Sequence, residues 1–174
     1  MVGTTFSANI SIGTGATTEF GQGILVTAPC SGNTILTIKP NVNFVNASGA
    51  GSYYFSGYTI SNIPSSCYGV DFLLNAYSDT SAVTLPIFNT NSTNSIVYNN
   101  NGTYALNGAI IAGQSITTNS SSSYTVTFTT PVTLSGKVYK ITLQSGPHRE
   151  YCATGGSCNV GDIGPGAGVI FYYS

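Results

Sequence analysis

Charged residues are scarce in this chain of 174 residues, which contains four Lys and Arg, five Asp and Glu and one His. They make up 5% of the sequence, whereas a typical soluble domain carries roughly 25%. Four cations and a net charge of −1 cannot neutralise a row of phosphates, so the composition excludes nucleic acid as a partner. The same shortage excludes a polybasic membrane anchor.

Long apolar runs and helical periodicity are also missing. The longest apolar runs are about five residues, and a membrane helix needs roughly 18 or more, which argues against membrane insertion. No window repeats apolar residues at helical spacing between caps, so we expect no long helix. The hydrophobic share of 41% still supplies a core, and the length suits one main domain rather than a disordered chain.

Neutral polar residues take the place of charge, with 22 Ser, 23 Thr and 16 Asn. They alternate with β-branched and aromatic residues at a period of two, which places alternate side chains on opposite faces of a strand. Three runs show this most clearly, and their apolar members are Tyr124, Val126 and Phe128, then Leu36 and Ile38, and then Tyr139, Ile141 and Leu143. This pattern predicts strands with one face in a core.

Turn residues separate these runs, and Asn101-Gly102 is a good hairpin turn because both residues tolerate positive φ. The sequence therefore predicts an all-β fold, an antiparallel β-sandwich of the jelly-roll or Ig-like kind, with an open barrel as the alternative. We assign residues 1–146 to the sandwich. Residues 147–174 form a disulfide loop and a Gly-rich C-terminal strand, packed on the same domain or leading to a next one. Further predicted strands cover 19–27, 52–60, 70–77, 83–88, 94–98, 103–106 and 168–173.

The four cysteines are Cys30, Cys67, Cys152 and Cys158. The simplest pairing is Cys30 with Cys67 and Cys152 with Cys158, which is one of three possible connectivities. Disulfides persist in oxidising compartments, so this pairing predicts an extracellular or cell-surface protein. The chain opens Met1-Val2-Gly3 without a signal-peptide pattern, so we expect an exported protein of this sequence to be a mature form or a fragment.

The alternative use of these cysteines is metal binding by His148, Cys152 and Cys158. Their spacing matches no common zinc pattern and no second cysteine pair lies nearby, so we predict disulfides and no metal. His148 is the single histidine and lies beside Arg149 and Glu150 in the sequence Gly-Pro-His-Arg-Glu, which predicts a solvated loop residue. Since no Gly-x-Ser-x-Gly elbow is present either, we expect no catalytic residues, no cofactor and no enzymatic activity.

An aromatic cluster at Tyr53, Tyr54, Phe55 and Tyr58 is the best candidate for ligand contact. Exposed tyrosines on a sheet can stack on sugar rings, so Tyr53, Tyr54 and Tyr58 are candidate glycan contacts. At a period of two, Tyr53 and Phe55 share one face and Tyr54 lies on the other, so part of the cluster must belong to the core. The alternative is that the whole cluster is core and ordinary surface tyrosine.

The C-terminal segment carries a resemblance. Residues 152–172, which run from Cys152 through Val160-Gly161-Asp162 to Phe171-Tyr172, resemble the VGDxGPGGGxVFY motif of large secreted or surface proteins of bacteria, notably actinobacteria. Ala167 stands in place of the usual central glycine. The body resembles the β-rich domain that precedes this motif, at 19–23, Cys30, 60–63 with Cys67, and 97–102. The resemblance implies an extracellular, adhesin-like or fibre-like module and implies no catalytic residues.

These observations predict a non-catalytic extracellular module with a structural or adhesive role in a bacterial surface fibre or multidomain surface protein. Its expected partners are further copies of itself or neighbouring domains of the same protein. A carbohydrate-binding module that uses the surface tyrosines is the alternative. A viral capsid or fibre protein is a third hypothesis, which suits the β-rich composition but fits the cysteines less well.

Overall fold

The computed structural model describes residues 8–11, 24–26, 28–46, 51–108 and 110–149. The described part contains ten strands: β1 (Ala8–Ser11), β2 (Ile24–Val26), β3 (Leu36–Val45), β4 (Ser52–Ser61), β5 (Val70–Tyr77), β6 (Asn94–Asn100), β7 (Thr103–Asn107), β8 (Gln114–Ser120), β9 (Ser123–Phe128) and β10 (Lys140–Pro147). Its only helical elements are three-residue 3₁₀ turns at Pro29–Ser31, Ser65–Cys67 and Ser135–Lys137. The prediction of an all-β fold without a long helix is confirmed.

The strands form two five-stranded sheets. The first sheet has the order β1-β10-β5-β6-β7 and the second has the order β2-β3-β4-β9-β8, with antiparallel pairing throughout. The chain changes sheet after β1, β4, β7 and β9, so both sheets draw strands from the whole sequence. The predicted antiparallel sandwich is therefore confirmed.

The core lies between the two sheets, where the alternating apolar residues meet. Leu36 and Ile38 of the second sheet and Ile141 and Leu143 of the first are fully buried, in the same cluster as Tyr124. Aromatic rings of the two sheets also pack against each other, since the ring centroid of Phe72 in the first sheet lies 6.1 Å from that of Tyr124 in the second. Each such side chain contributes roughly 1.5–3 kcal/mol on burial, so this face of each strand decides the fold.

Predictions for individual turns and strands agree with the structure in some places and not in others. The turn at Asn101-Gly102 is confirmed, since both residues have positive φ, 50° and 86°, and link β6 to β7. Residues 83–88 were predicted to form a strand, but the structure shows only isolated bridges there. Strand β8 was not predicted, because its seven residues include a single apolar side chain. The predicted strand at 168–173 and the proposed division at 146 are not tested, since residues 150–174 lie outside the described part.

The sandwich has two distinct ends. Strand β4 leads into β5 through the turn that contains Cys67, so the end of β4 and the start of β5 lie at one end, which we call the disulfide end. The start of β4 and the end of β5 lie at the other end. There the backbone of Tyr54 bridges to Leu134, and Tyr77 pairs with Lys140. Each of the surfaces discussed below belongs to one of these ends.

Candidate functional site

The three candidate glycan tyrosines occupy different environments. Tyr53 is 59% exposed, and the rings of Tyr53 and Phe44 lie 5.0 Å apart between centroids. Tyr54 is half-buried and lies on the opposite face from Tyr53. Tyr58 is 0% exposed and belongs to the core, so its prediction as a surface contact is wrong. Of the candidate set, Tyr53 and Tyr54 remain available to a ligand.

A β-bulge in β4 explains the error at Tyr58. Asn41 pairs with Gly57 and the next residue, Val42, pairs with Phe55, so Ser56 is an extra residue without a partner. The extra residue shifts the alternation, which lets both Phe55 and Tyr58 face the core. Gly57 has φ of 145°, and a Cβ there would lie 2.1 Å from the carbonyl oxygen of Val126. Only glycine fits this position.

The β3–β4 hairpin extends beyond the core and exposes apolar side chains. Val42, Phe44, Val45 and Tyr53 are 37%, 46%, 40% and 59% exposed, and we call these four residues the apolar ribbon end. Val42 and Phe44 continue the side of β3 that carries Leu36 and Ile38 into the core. The same face that makes the core therefore continues into solvent, which is typical of a surface that contacts another molecule.

The backbone edge beside this surface is also open within the described residues. Strand β2 pairs with β3 only at Leu36–Ile38, and no described strand pairs with that edge from Lys39 to Val45. Lys39 and Pro40 protect the first part of the edge, because a charge and a residue without an N–H both oppose strand pairing. Residues 41–45 carry no such protection, and no strand within the described ranges pairs with this side of them.

The disulfide between Cys30 and Cys67 is present, which confirms the predicted pairing for these two cysteines. It joins the turn before β3 to the turn between β4 and β5, across 37 residues of sequence. The hydroxyl of Ser66 donates to the carbonyl of Cys30 over 2.8 Å, and the amide of Asn99 donates to the carbonyl of Cys67 over 2.8 Å. Cys152 and Cys158 lie outside the described residues, and their pairing stays a prediction.

His148 is not the solvated loop residue that the sequence predicted. Its side chain is 27% exposed, its Nδ1 lies 2.9 Å from Oδ1 of Asp71, and its ring stacks on Tyr98. Asp71 also accepts a hydrogen bond from the side-chain amide of Asn107 over 3.0 Å and one from the backbone N–H of Arg149 over 2.9 Å. Asp71 is fully engaged, so this group, which we call the Asp71 cluster, fastens the chain after β10 to the first sheet.

The Asp71 cluster offers little to a metal ion. No group of three or more His, Cys, Asp or Glu side chains is positioned to bind a metal within the described residues. The zinc alternative at His148, Cys152 and Cys158 is not tested, because the two cysteines lie outside that part of the chain. Within the described ranges there is also no helix long and apolar enough to cross a membrane.

A hydrogen-bonded chain of polar side chains inside the core links the two sheets, and no pattern in the sequence predicts it. The hydroxyl of Tyr58 donates to Ser95 Oγ over 2.9 Å, and the hydroxyl of Ser95 in turn donates to Gln114 Oε1 over 2.8 Å. Burial raises the pKa of Tyr58 and that of Tyr124 well above the usual value. It also raises the pKa of Tyr104 from 10.0 to about 12. The three tyrosine hydroxyls therefore stay protonated at neutral pH and supply no base. The hydrogen-bonded chain from Tyr58 to Gln114 holds the two sheets together.

Comparisons with known proteins add no relative. No family model, no curated protein and no solved structure matches this chain.

Proposed function

We propose that this chain is a non-catalytic extracellular module with a structural or adhesive role in a bacterial surface fibre or multidomain surface protein. The observation that carries the proposal is the apolar ribbon end, where the core-forming face of β3 and β4 continues into solvent beside an edge of β3 that no described strand covers. An exposed apolar face at a sheet edge suits contact with another protein surface.

The location rests on two arguments. The Cys30–Cys67 disulfide fits an oxidising compartment. The resemblance of residues 152–172 to the VGDxGPGGGxVFY motif points to bacterial surface proteins. The partner we favour is a second copy or the neighbouring domain of the same protein. With a net charge of −1, copies repel each other weakly, so short-range contacts decide their association.

Sedimentation velocity over a range of protein concentrations tests this proposal. We expect the chain to self-associate, and we expect the double variant Phe44→Ser with Tyr53→Ser to remain monomeric at the same concentrations. Ile35→Ser is the control, because Ile35 is 51% exposed and directly precedes β3 at the disulfide end, and it should associate as the parent does. A parent that stays monomeric, or a double variant that associates equally, contradicts the proposal.

A carbohydrate-binding role is the second candidate, and the exposure of Tyr53 favours it. A ring that is 59% exposed and paired with Phe44 offers a flat apolar surface to a sugar ring. Binding to a glycan array that disappears in Tyr53→Ala or Tyr54→Ala supports this role at the hairpin. Binding that survives both substitutions excludes the hairpin as the glycan site.

A further inference from the structure

An open cleft of about 530 Å³ lies at the end of the first sheet, on the same end of the sandwich as the β3–β4 hairpin. Its walls include Tyr77, the last residue of β5, and Tyr139, the residue before β10. The N–H of Tyr139 donates to the carbonyl of Tyr77 over 2.8 Å, so the sheet holds the two residues in a fixed relation. Its volume lies within the range of roughly 300–1,000 Å³ that small-molecule sites occupy.

The polar lining of the cleft carries one charge of each sign. Asp79 contributes a carboxylate, and Lys140 contributes an ammonium whose Nζ lies 5.8 Å from the centre of the Tyr77 ring. Ser78, Thr80 and Ser81 add three hydroxyls. A single cation opposed by a carboxylate does not suit a phosphate, and a single carboxylate does not suit a divalent cation.

The groups present match a ligand rich in hydroxyl groups. A carboxylate accepts hydrogen bonds, an ammonium donates them and a hydroxyl does both, so together they can bind neighbouring sugar hydroxyls. The tyrosine rings supply the apolar surface on which the C–H face of a sugar packs. The cleft loop is anchored at its base, because the N–H of Leu85 donates to the carbonyl of Ala76 over 2.8 Å.

We propose that this cleft is a binding site for a neutral saccharide. It is separate from the apolar ribbon end and does not depend on self-association there. The module would then bind a neutral saccharide at this cleft in addition to the protein contacts at the apolar ribbon end. The hydroxyls of Ser78, Thr80 and Ser81 and the charges of Asp79 and Lys140 set the orientation of the sugar, and Tyr77 and Tyr139 provide the stacking surface.

The test is an NMR titration of the full, isotopically labelled chain with cellohexaose, laminarihexaose and chitohexaose, and with hexagalacturonate as an acidic comparison. We expect at least one neutral sugar to shift the amide signals of residues 77–82 and 139–140. Tyr139→Ala should weaken that binding about tenfold through loss of stacking. Tyr139→Phe should keep it, and Tyr53→Ala, a tyrosine outside the cleft, should leave it unchanged.

Asp79→Ala guards against a folding artefact, because Asp79 is exposed and its replacement disturbs no packing. We expect this variant to lose affinity severalfold while its unfolding curve matches that of the parent. The inference is overturned if none of the three neutral sugars shifts the cleft signals, if hexagalacturonate binds in their place, or if Tyr53→Ala abolishes binding and Tyr139→Ala does not. The last outcome places the glycan site at the hairpin, and none of the three bears on self-association.

Discussion

The imidazole of His148 stacks on the ring of Tyr98, with ring centroids 3.5 Å apart and planes 16° from parallel. Tyr98 pairs with Asp71 across β6 and β5, and Asp71 bonds to the same imidazole through its carboxylate. The two contacts hold His148 on the first sheet beyond the last residue of β10. A carboxylate and a tyrosine therefore fix the position of His148 and Arg149 against the first sheet.

Replacing Asp71 should release this segment. Asp71→Ala leaves the N–H of Arg149 without its acceptor and removes one of two acceptors of the Asn107 amide, which also donates to the carbonyl of Arg149 over 2.7 Å. We expect a loss of about 1–3 kcal/mol in the free energy of unfolding. Urea unfolding measures the loss, and the ring-current shift of the His148 protons reports whether the stack on Tyr98 persists. Asp79→Ala, at an exposed carboxylate, is the control and should leave both unchanged. An unchanged His148 spectrum in Asp71→Ala would show that Asp71 does not hold the stack.

Removing the disulfide should destabilise the protein without changing its fold. The bridge closes a loop with a sequence separation of 37, and the chain-entropy relation gives about 4 kcal/mol for a loop of that length. We expect the double variant Cys30→Ser with Cys67→Ser to unfold at lower urea concentration and to keep a β-sheet circular dichroism spectrum. Equal midpoints for parent and variant under oxidising conditions would mean that the bridge contributes nothing.

The bulge in β4 makes Gly57 the most sensitive of the glycines that the structure describes. A methyl group at Gly57 would meet the backbone of β9 at 2.1 Å, so Gly57→Ala must separate β4 from β9 or abolish the bulge. We expect a loss above about 3 kcal/mol, or failure to fold. Gly136→Ala is the matched control, since a Cβ there meets nothing within 4 Å and its φ is ordinary. Similar unfolding midpoints for the two variants would contradict the assigned register.

The raised tyrosine pKa values predict a loss of stability in alkali. In the unfolded chain Tyr104 ionises near its ordinary pKa of 10.0, and in the folded protein its pKa is about 12. Below pH 10 both states are protonated and stability does not depend on this group, whereas between pH 10 and pH 12 the unfolded state loses the proton first and stability falls. Tyr104→Phe should be less stable at neutral pH, through loss of the hydrogen bond to Ser121, and should show a shallower alkaline fall. An identical slope for both proteins would contradict the burial of this hydroxyl.

The sandwich could be predicted from the sequence because a strand with one face in the core carries apolar side chains at every second position. The alternation predicts that four residues lie on the core-facing side of their strands, and all four are 0% exposed: Leu36 and Ile38 of β3, and Tyr124 and Val126 of β9. The same rule failed at Tyr58, because one unpaired residue at Ser56 reverses every later side chain of β4. A glycine inside a strand, Gly57, was the available signal of a bulge.

The contacts around His148 could not be predicted from the sequence. Asp71 and His148 are 77 residues apart, and they meet only because β5 and β10 pair in the first sheet. Local sequence around His148 suggested a solvated loop, and nothing in it encodes the Tyr98 ring beneath the imidazole. The cleft between Tyr77 and Tyr139 could not be predicted either, because its two walls come together only through the pairing of β5 with β10.

We propose that the apolar ribbon end is the surface by which this module contacts its neighbours, and hydrogen exchange on the full chain can show whether that surface becomes covered on association. We expect the amides of residues 41–45 and 52–54 to exchange more slowly in concentrated, associated protein than in dilute protein. The edge strand Gln114–Ser120 should exchange equally in both. Protection that appears on Gln114–Ser120 and not on the hairpin, or no difference anywhere, would contradict the claim.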